Sequence, residues 1–289
     1  MAVWGSSFAI LRSLLGEAAA SPLLLVAVRM TIASSLLFGF MAARAHGRAQ
    51  LRALRGGLLR DGIFAGALLG VGFLLQTEGL QRTTASRSGF LTGTLVVLTP
   101  LIEFAFFRKR PAGPTLIGVL LAFVGMSVLS APWSDGSQPT ALGDALTLAC
   151  AVVFAAQIVA LGRIAPKYPV LPLLLLQLAT IAVVAALAGP VVETQHFSGT
   201  PRLWLALLYL ALFATLLAFG VQTWAQRILP PVRVALISSL EPVFAALWAG
   251  LLIGERLTMR ELFGGALIVL GVVVGEAGAA LRARARAAP

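Results

Sequence analysis

Long apolar blocks, separated by short clusters of proline, glycine and charge, run through almost all of the 289 residues. The blocks fall near 2–16, 21–42, 61–80, 86–107, 113–131, 142–162, 169–190, 202–224, 230–253 and 260–281. Ser21-Pro22, Arg110-Pro111, Ala131-Pro132, Pro166, Gly189-Pro190, Thr200-Pro201 and Pro230-Pro231 punctuate them. A helix that crosses a bilayer needs about 20 predominantly apolar residues. The blocks lack the period-two alternation of membrane β-strands, so helices are predicted throughout. The pattern predicts an all-α polytopic membrane protein of ten transmembrane helices.

A shift of the chain by 146 positions lays one half on the other. Gln76-Thr77 then falls on Gln222-Thr223, Arg87 on Arg233, Thr92 on Ser238, Gly118 on Gly264 and Gly125 on Gly271, with no gap. Blocks three to five therefore repeat as blocks eight to ten. Equivalent positions are five helices apart, an odd number, so the copies are expected upside down relative to each other. Such inverted repeats are the frame of alternating-access transporters. The expected units are a first five-helix repeat at 1–131, a connection at 132–141, a second repeat at 142–281 and a basic tail at 282–289.

Two features break the repeat. Pro100 would fall on Ala246, yet the second-half proline is Pro242, four residues or about one helical turn away. The first block is also short. Its counterpart begins near Gly143, about eleven residues before Phe154, which we match to Trp4, and only three residues precede Trp4. At 1.5 Å per residue block one spans about 21–22 Å of a roughly 30 Å core. It has no cationic n-region of a signal peptide, and its native start is expected upstream of Met1.

Composition fixes the solvent. The chain is 59% hydrophobic and 11% charged, with mean hydropathy +0.94, against roughly 25% charged in a soluble domain. Lipid must therefore surround most of it. The net charge of +11 lies between the blocks and at the C-terminus, as it does in loops facing anionic lipid, and not in a stripe for nucleic acid. With the N-terminus inside, 15 of the 22 Lys and Arg are cytoplasmic, including Arg44–Arg60, Arg108–Arg110 and the tail. Both termini are thus expected in the cytoplasm of a bacterial inner-membrane protein. The single cysteine, Cys150, excludes an intrachain disulfide. His46 and His196 both lie in loops, which leaves no metal cluster or triad chemistry and implies no cofactor.

Polar residues inside the blocks are the candidate sites. Glu241 is the sharpest, because a mid-helix carboxylate costs roughly 2.5–3.5 kcal/mol on insertion scales and such groups face cavities or partners. The next residue, Pro242, cannot donate to the Ser238 carbonyl. A carboxylate, a free carbonyl and the Ser238 and Ser239 hydroxyls would then cluster at one depth, suited to a proton or a cationic group. The alternative is a structural ion pair with Arg29 or Arg233. Glu103, three residues after Pro100, suits either coupling or snorkelling toward Arg108, and Glu78 an i+4 pair with Arg82. Gln76, Gln157, Gln177, Gln222 and Gln226 read either as interhelical hydrogen bonds or as substrate contacts. The repeat favours a cavity position for Gln76 and Gln222. Trp4 and Trp224 would stack on substrate or anchor packing, with Trp4 preferred because Gly5, Ser6 and Ser7 open its helix face. The glycines at 118, 125, 264, 271, 275 and 278 read as close helix packing.

In combination these residues resemble the EamA-type permeases of the drug/metabolite transporter superfamily. Trp4-Gly5-Ser6-Ser7-Phe8 is similar to the first-helix motif, and Arg29 to the arginine of the second helix. Thr84-Ala85, Phe90-Leu91-Thr92 and Pro100 resemble the fourth helix. Glu241-Pro242-Val243-Phe244, Gly254-Glu255-Arg256-Leu257-Thr258 and Gly264-Gly265-Ala266-Leu267-Ile268 resemble the ninth and tenth. The resemblance implies two five-helix halves, a central cavity between helices one to four and six to nine, supporting helices five and ten, and carriage of small metabolites or drugs, most often outward. Two departures are the missing start of helix one, and Arg108-Lys109-Arg110-Pro111 where the second half has Gly254-Glu255-Arg256-Leu257.

The expected function is secondary transport of a small molecule by alternating access. Trp4, Ser7, Gln76, Thr92, Gln157, Gln222 and Ser239 are the candidate substrate contacts. Glu241, Arg29 and Glu103 are the candidate coupling or charge-pairing groups, and Pro100 and Pro242 the helix breaks. A channel or a non-transporting sensor is the alternative from another class. An intramembrane enzyme is disfavoured because no HExxH, Asp-rich metal motif or membrane-depth histidine is present. Ten helices enclose a pathway without a partner chain, which leaves the oligomeric state open.

Overall fold

A computed structural model describes residues 1–7, 10, 19–131, 140–253 and 257–287. Among these the chain is helical almost throughout. Nine helical segments are long and apolar enough to cross a membrane, from Pro22–Ala43 to Met259–Gly278, and each overlaps an expected block. Of the first block, residues 2–7 and 10 are helical and its remainder, like much of the 132–141 connection, lies outside the described residues.

We number residues 2–7 as α1. In order there follow α2 (Pro22–Ala43), α3 (Ala45–Arg52), α4 (Gly56–Leu80), α5 (Ala85–Gly93), α6 (Leu95–Phe107), α7 (Gly113–Ser130) and α8 (Ala141–Ile164). Then come α9 (Val170–Val192), α10 (Pro201–Tyr209), a π-helical stretch Leu210–Leu217, α11 (Ala218–Ile228), α12 (Pro231–Ser238), α13 (Glu241–Ile253) and α14 (Met259–Ala287). Three broken spans are evident: α5 with α6, α10 through α11, and α12 with α13. We call the end of the bundle that carries α3 and the 108–110 cations the inner end.

Helix starts follow local chemistry. Thr84, Thr140 and Thr200 accept from backbone N–H groups three residues on, and Pro22, Pro201 and Pro231 occupy first positions that need no N–H donor. The start of α2 is capped from another part of the chain: Glu193, just after α9, accepts from Leu23 N at 3.0 Å and Leu24 N at 3.1 Å. Beside it Ser21 and His196 bond backbone to backbone and Ala20 pairs with Phe197. Glu193→Ala should leave two end donors unpaired and lower stability by about 0.5–2 kcal/mol, read from thermal unfolding in detergent.

Lipid-embedded helices gain little from hydrophobic burial against each other, so close backbone approach carries their packing. The α7–α14 pair shows this most plainly. A methyl placed on Gly125 would come within 2.6 Å of the Gly264 carbonyl oxygen, and one on Gly264 within 2.7 Å of the Gly125 oxygen. Gly118 and Gly271 oppose each other in the same way. The main apolar core lies elsewhere, around Met30, Ala33 and Met41 of α2, Leu69 of α4, and Leu174, Leu178 and Ile181 of α9.

Candidate functional site

The breaks in two spans position the candidate residues. In the first, α5 ends at Gly93 and α6 begins at Leu95, so the expected break at Pro100 lies instead at Thr94. Pro100 lies inside α6. It cannot donate to Val96 O and its ring crowds that carbonyl, which loosens the turn before it. There Val97 N bonds Thr94 O at 2.9 Å in a tight turn, and Thr94 Oγ1 donates to Leu91 O at 2.6 Å. In the second, α12 ends at Ser238 and α13 opens with Glu241-Pro242. Pro242 therefore starts a helix, where a missing N–H is tolerated.

Glu241 heads α13, where the helix dipole favours its negative charge. It is half-buried, and among the described residues no side chain bonds or ion-pairs with it. Arg233 is taken by Glu276 of α14, with Nε donating at 2.9 Å. Arg29 is buried, stands 5.7 Å from the Phe73 ring centroid, and has an unpartnered Nε. Arg233 is thus engaged elsewhere, and Arg29, without an ion pair of its own among the described residues, does not pair with Glu241 either. Further unpartnered buried atoms occur on the broken spans: Thr92 Oγ1, Gln222 Oε1, Ser238 Oγ, Thr215 Oγ1 and both amide atoms of Gln226. Buried polar groups normally find partners, so a set without them suits water or a ligand.

Helix α1 touches both sides of this region. Gly5 lies against the backbone of Phe244 and Ala245, close enough that an added methyl would meet Ala245 N at 2.7 Å, and Trp248 Nε1 donates to Ala2 O at 2.9 Å. On its other side Trp4 packs edge-on against Phe219, which meets Phe73, which meets Phe154. Trp4 Nε1 donates to Ala214 O at 2.8 Å, inside the π-helical stretch. A π turn interrupts the usual i→i−4 ladder and often marks a functional segment. No proline or glycine lies within 210–217, which hid this irregularity from a reading of the sequence.

The remaining candidates are partnered or half-open. Ser7 is buried and its hydroxyl donates to Trp4 O; Ser239 is buried and donates to Leu236 O. Gln76 is half-buried in α4. Gln157 Nε2 donates to Gln177 Oε1 at 3.4 Å, and Gln177 Nε2 reaches Thr223 Oγ1 at 3.5 Å, a weak chain across α8, α9 and α11. Trp224 is 54% exposed and lines an open apolar groove. Glu103 does not pair with Arg108. Arg108 ends α6 in a left-handed conformation (φ 53°) and lies over Phe104, while Glu103 stands 3.8 Å from Arg163 of α8. Glu78 does pair with Arg82, four residues on. Among the described residues no group of three or more His, Cys, Asp or Glu is placed to hold a metal.

Ion pairs that the sequence reading missed tie the ends of the bundle. At the outer end Arg87 Nε donates to both Asp144 oxygens at 2.9 and 2.8 Å, and Thr83 Oγ1 donates to Asp144 at 2.8 Å. At the inner end Asp61 of α4 takes Tyr168 Oη at 3.0 Å and Arg60 Nε at 3.0 Å, with Lys167 Nζ at 3.9 Å. Burial, then the Asp61 hydrogen bond, holds the Tyr168 phenol above its ordinary range, so it stays a donor. Asp144→Asn should loosen the outer end. With Thr92→Cys as reporter in a Cys150→Ala background, maleimide labelling in detergent should rise on the order of threefold to tenfold.

Comparison with known proteins adds to this geometry. The sequence model of the EamA-like transporter family matches residues 1–131 and 141–274. An "Uncharacterized transporter" of Archaeoglobus fulgidus is 33% identical over 94% of this chain and 82% of its own. A "Probable amino-acid metabolite efflux pump" of Salmonella typhimurium is 28% identical over 98% of this chain and 94% of its own. A solved crystal structure aligns with TM-score 0.80 at 21% identity, over 94% of this chain and 93% of that one, which shows a shared fold.

Proposed function

Because this chain belongs to the EamA-like transporter family, and so is a multi-pass membrane transporter, we propose that it exports a small amino-acid-like metabolite across the inner membrane by alternating access. The observation that carries the reading is Glu241: a carboxylate at a helix break, inside a lipid-embedded bundle, with no side-chain ion pair among the described residues and with the Met1 α-amino group as a charged neighbour. Such a group is stabilised by a proton or by the cationic end of a substrate. Gln222 and Ser238 offer unmet hydrogen-bonding capacity from the broken spans, Thr92 has at most the weak Cys150 thiol beside its hydroxyl, and Trp4, Phe219 and Phe73 supply an apolar wall. Arg29, beyond that wall and without an acidic partner among the described residues, suits a substrate carboxylate. The name of the Salmonella relative supports the same substrate class.

The rocking frame is a pair of inverted halves, 1–131 and 142–281, joined by 132–141, with the basic tail 282–289 and both termini cytoplasmic. Reciprocal contacts support it. Gly118 meets Gly271 and Gly125 meets Gly264, while the 146-residue shift relates Gly118 to Gly264 and Gly125 to Gly271. Residue i meeting the equivalent of j, and j the equivalent of i, is the signature of a two-fold axis. The helix breaks obey the same shift, since Thr94 falls on Leu240. The test is a metabolite profile of the medium around cells with and without the protein. Amino acids or their derivatives should accumulate outside the expressing cells only. An unchanged amino-acid pool with a different class enriched would overturn the substrate assignment.

A further inference from the structure

An apolar groove of about 560 Å³ opens on the lipid-facing side of the bundle between α2, α9 and the span from the π-helical stretch to α11. Leu36 and Phe40 form one wall, Leu171 the floor at the inner end, and Leu216, Gly220 and Trp224 the other wall. From Leu212 to Trp224 it runs about 18 Å along its span, close to the depth of one leaflet, at 1.5 Å per residue and a roughly 30 Å core. Gly220 makes the groove possible. The nearest atom to an added methyl there is Leu174 Cδ2 at 3.5 Å, so the space is kept open by the missing side chain and not by a tight contact.

Each wall ends in a cation at the inner end. Arg44 follows Phe40 by four residues, and its guanidinium stacks 4.0 Å from the Phe40 ring centroid. Arg227 follows Trp224 by three residues and Gly220 by seven, on the same face of α11. Both are exposed, and neither forms an ion pair among the described residues. Two unpaired guanidiniums thus flank one end of an apolar slot that is one leaflet deep. That is the complement of a phosphate headgroup joined to an acyl chain.

We propose that this groove is a specific site for an anionic phospholipid of the cytoplasmic leaflet, with the phosphate between Arg44 and Arg227 and one acyl chain along Gly220. The groove lies on the seam between α2 and the second-half spans, so its occupant would wedge the two halves and tune their rocking. The site stands on its own geometry and does not depend on the substrate assignment.

The test uses the full chain in dodecyl maltoside micelles with added phosphatidylglycerol or phosphatidylcholine, with bound lipid read by native mass spectrometry. Wild type should retain phosphatidylglycerol and not phosphatidylcholine. Arg44→Gln with Arg227→Gln should weaken phosphatidylglycerol binding by about thirtyfold, two surface cation contacts' worth. Gly220→Phe, which keeps both arginines and fills the slot, should also weaken it. Arg52→Gln with Arg55→Gln, an equal charge change away from the groove, should leave binding as in wild type. Equal retention of the two lipids, or equal loss in the Arg52/Arg55 control, overturns the proposal.

Discussion

Glu241→Gln should reduce pH-driven flux at least about tenfold, the weight of 1.4 kcal/mol or more of lost differential interaction between states. The substitution keeps shape and removes only the ionisable oxygen. No side chain loses an ion pair with Glu241, and only the electrostatic contact with the Met1 α-amino group is weakened, so the fold should be retained. Counterflow of a substrate that does not need the carboxylate should persist, and its rate should lose its pH dependence. Glu241→Asp, which keeps the charge on a shorter stem, should retain part of the driven flux. The measurement is flux into proteoliposomes under an imposed pH gradient, set against counterflow in the same vesicles. Undiminished driven flux in Glu241→Gln would remove Glu241 from coupling while leaving the transporter class intact.

The second large effect is structural and has a sign that depends on position. Gly118→Ala, Gly125→Ala, Gly264→Ala and Gly271→Ala each place a methyl against a facing backbone, and each should cost about 1–3 kcal/mol as α7 and α14 are forced apart. Gly265→Ala, one residue from Gly264, should be neutral or stabilising. Its nearest neighbour is 3.8 Å away, and alanine favours helix over glycine by up to about 1 kcal/mol. Gly125→Ala with Gly264→Ala should cost less than the sum of the two, because both methyls enter one contact. Unfolding midpoints in detergent decide this. Equal effects at Gly264 and Gly265 would contradict the close-approach account.

What the sequence made legible was whatever repeats along one helix. Apolar runs placed the spans, the 146-residue shift predicted which glycines correspond, and Glu78 with Arg82 was readable as an i+4 pair. Contacts between helices were not readable in that way. Arg87 and Arg233 are equivalent in the repeat, yet their partners, Asp144 at the start of α8 and Glu276 in the second half of α14, are not, so nothing in the repeat pointed to either. Glu193 was hidden for the same reason, since it caps a helix 170 residues away in sequence. Proline position misled about the first break. The missing donor is at Pro100, whereas the turn that yields is at Thr94, where a hydroxyl competes for the backbone. The π-helical stretch has no compositional mark, and its Ala214 carbonyl is met by a tryptophan 210 residues away.

The central claim is that this transporter alternates access to one site and does not open a continuous pore. Counterflow tests it most directly. Proteoliposomes loaded with unlabelled amino acids and their derivatives would be diluted into medium holding a trace of labelled substrate, with no ion or pH gradient. The account predicts transient accumulation of label above its equilibrium level, present only when unlabelled substrate is inside. Ionic conductance across the same membranes without that overshoot would contradict it.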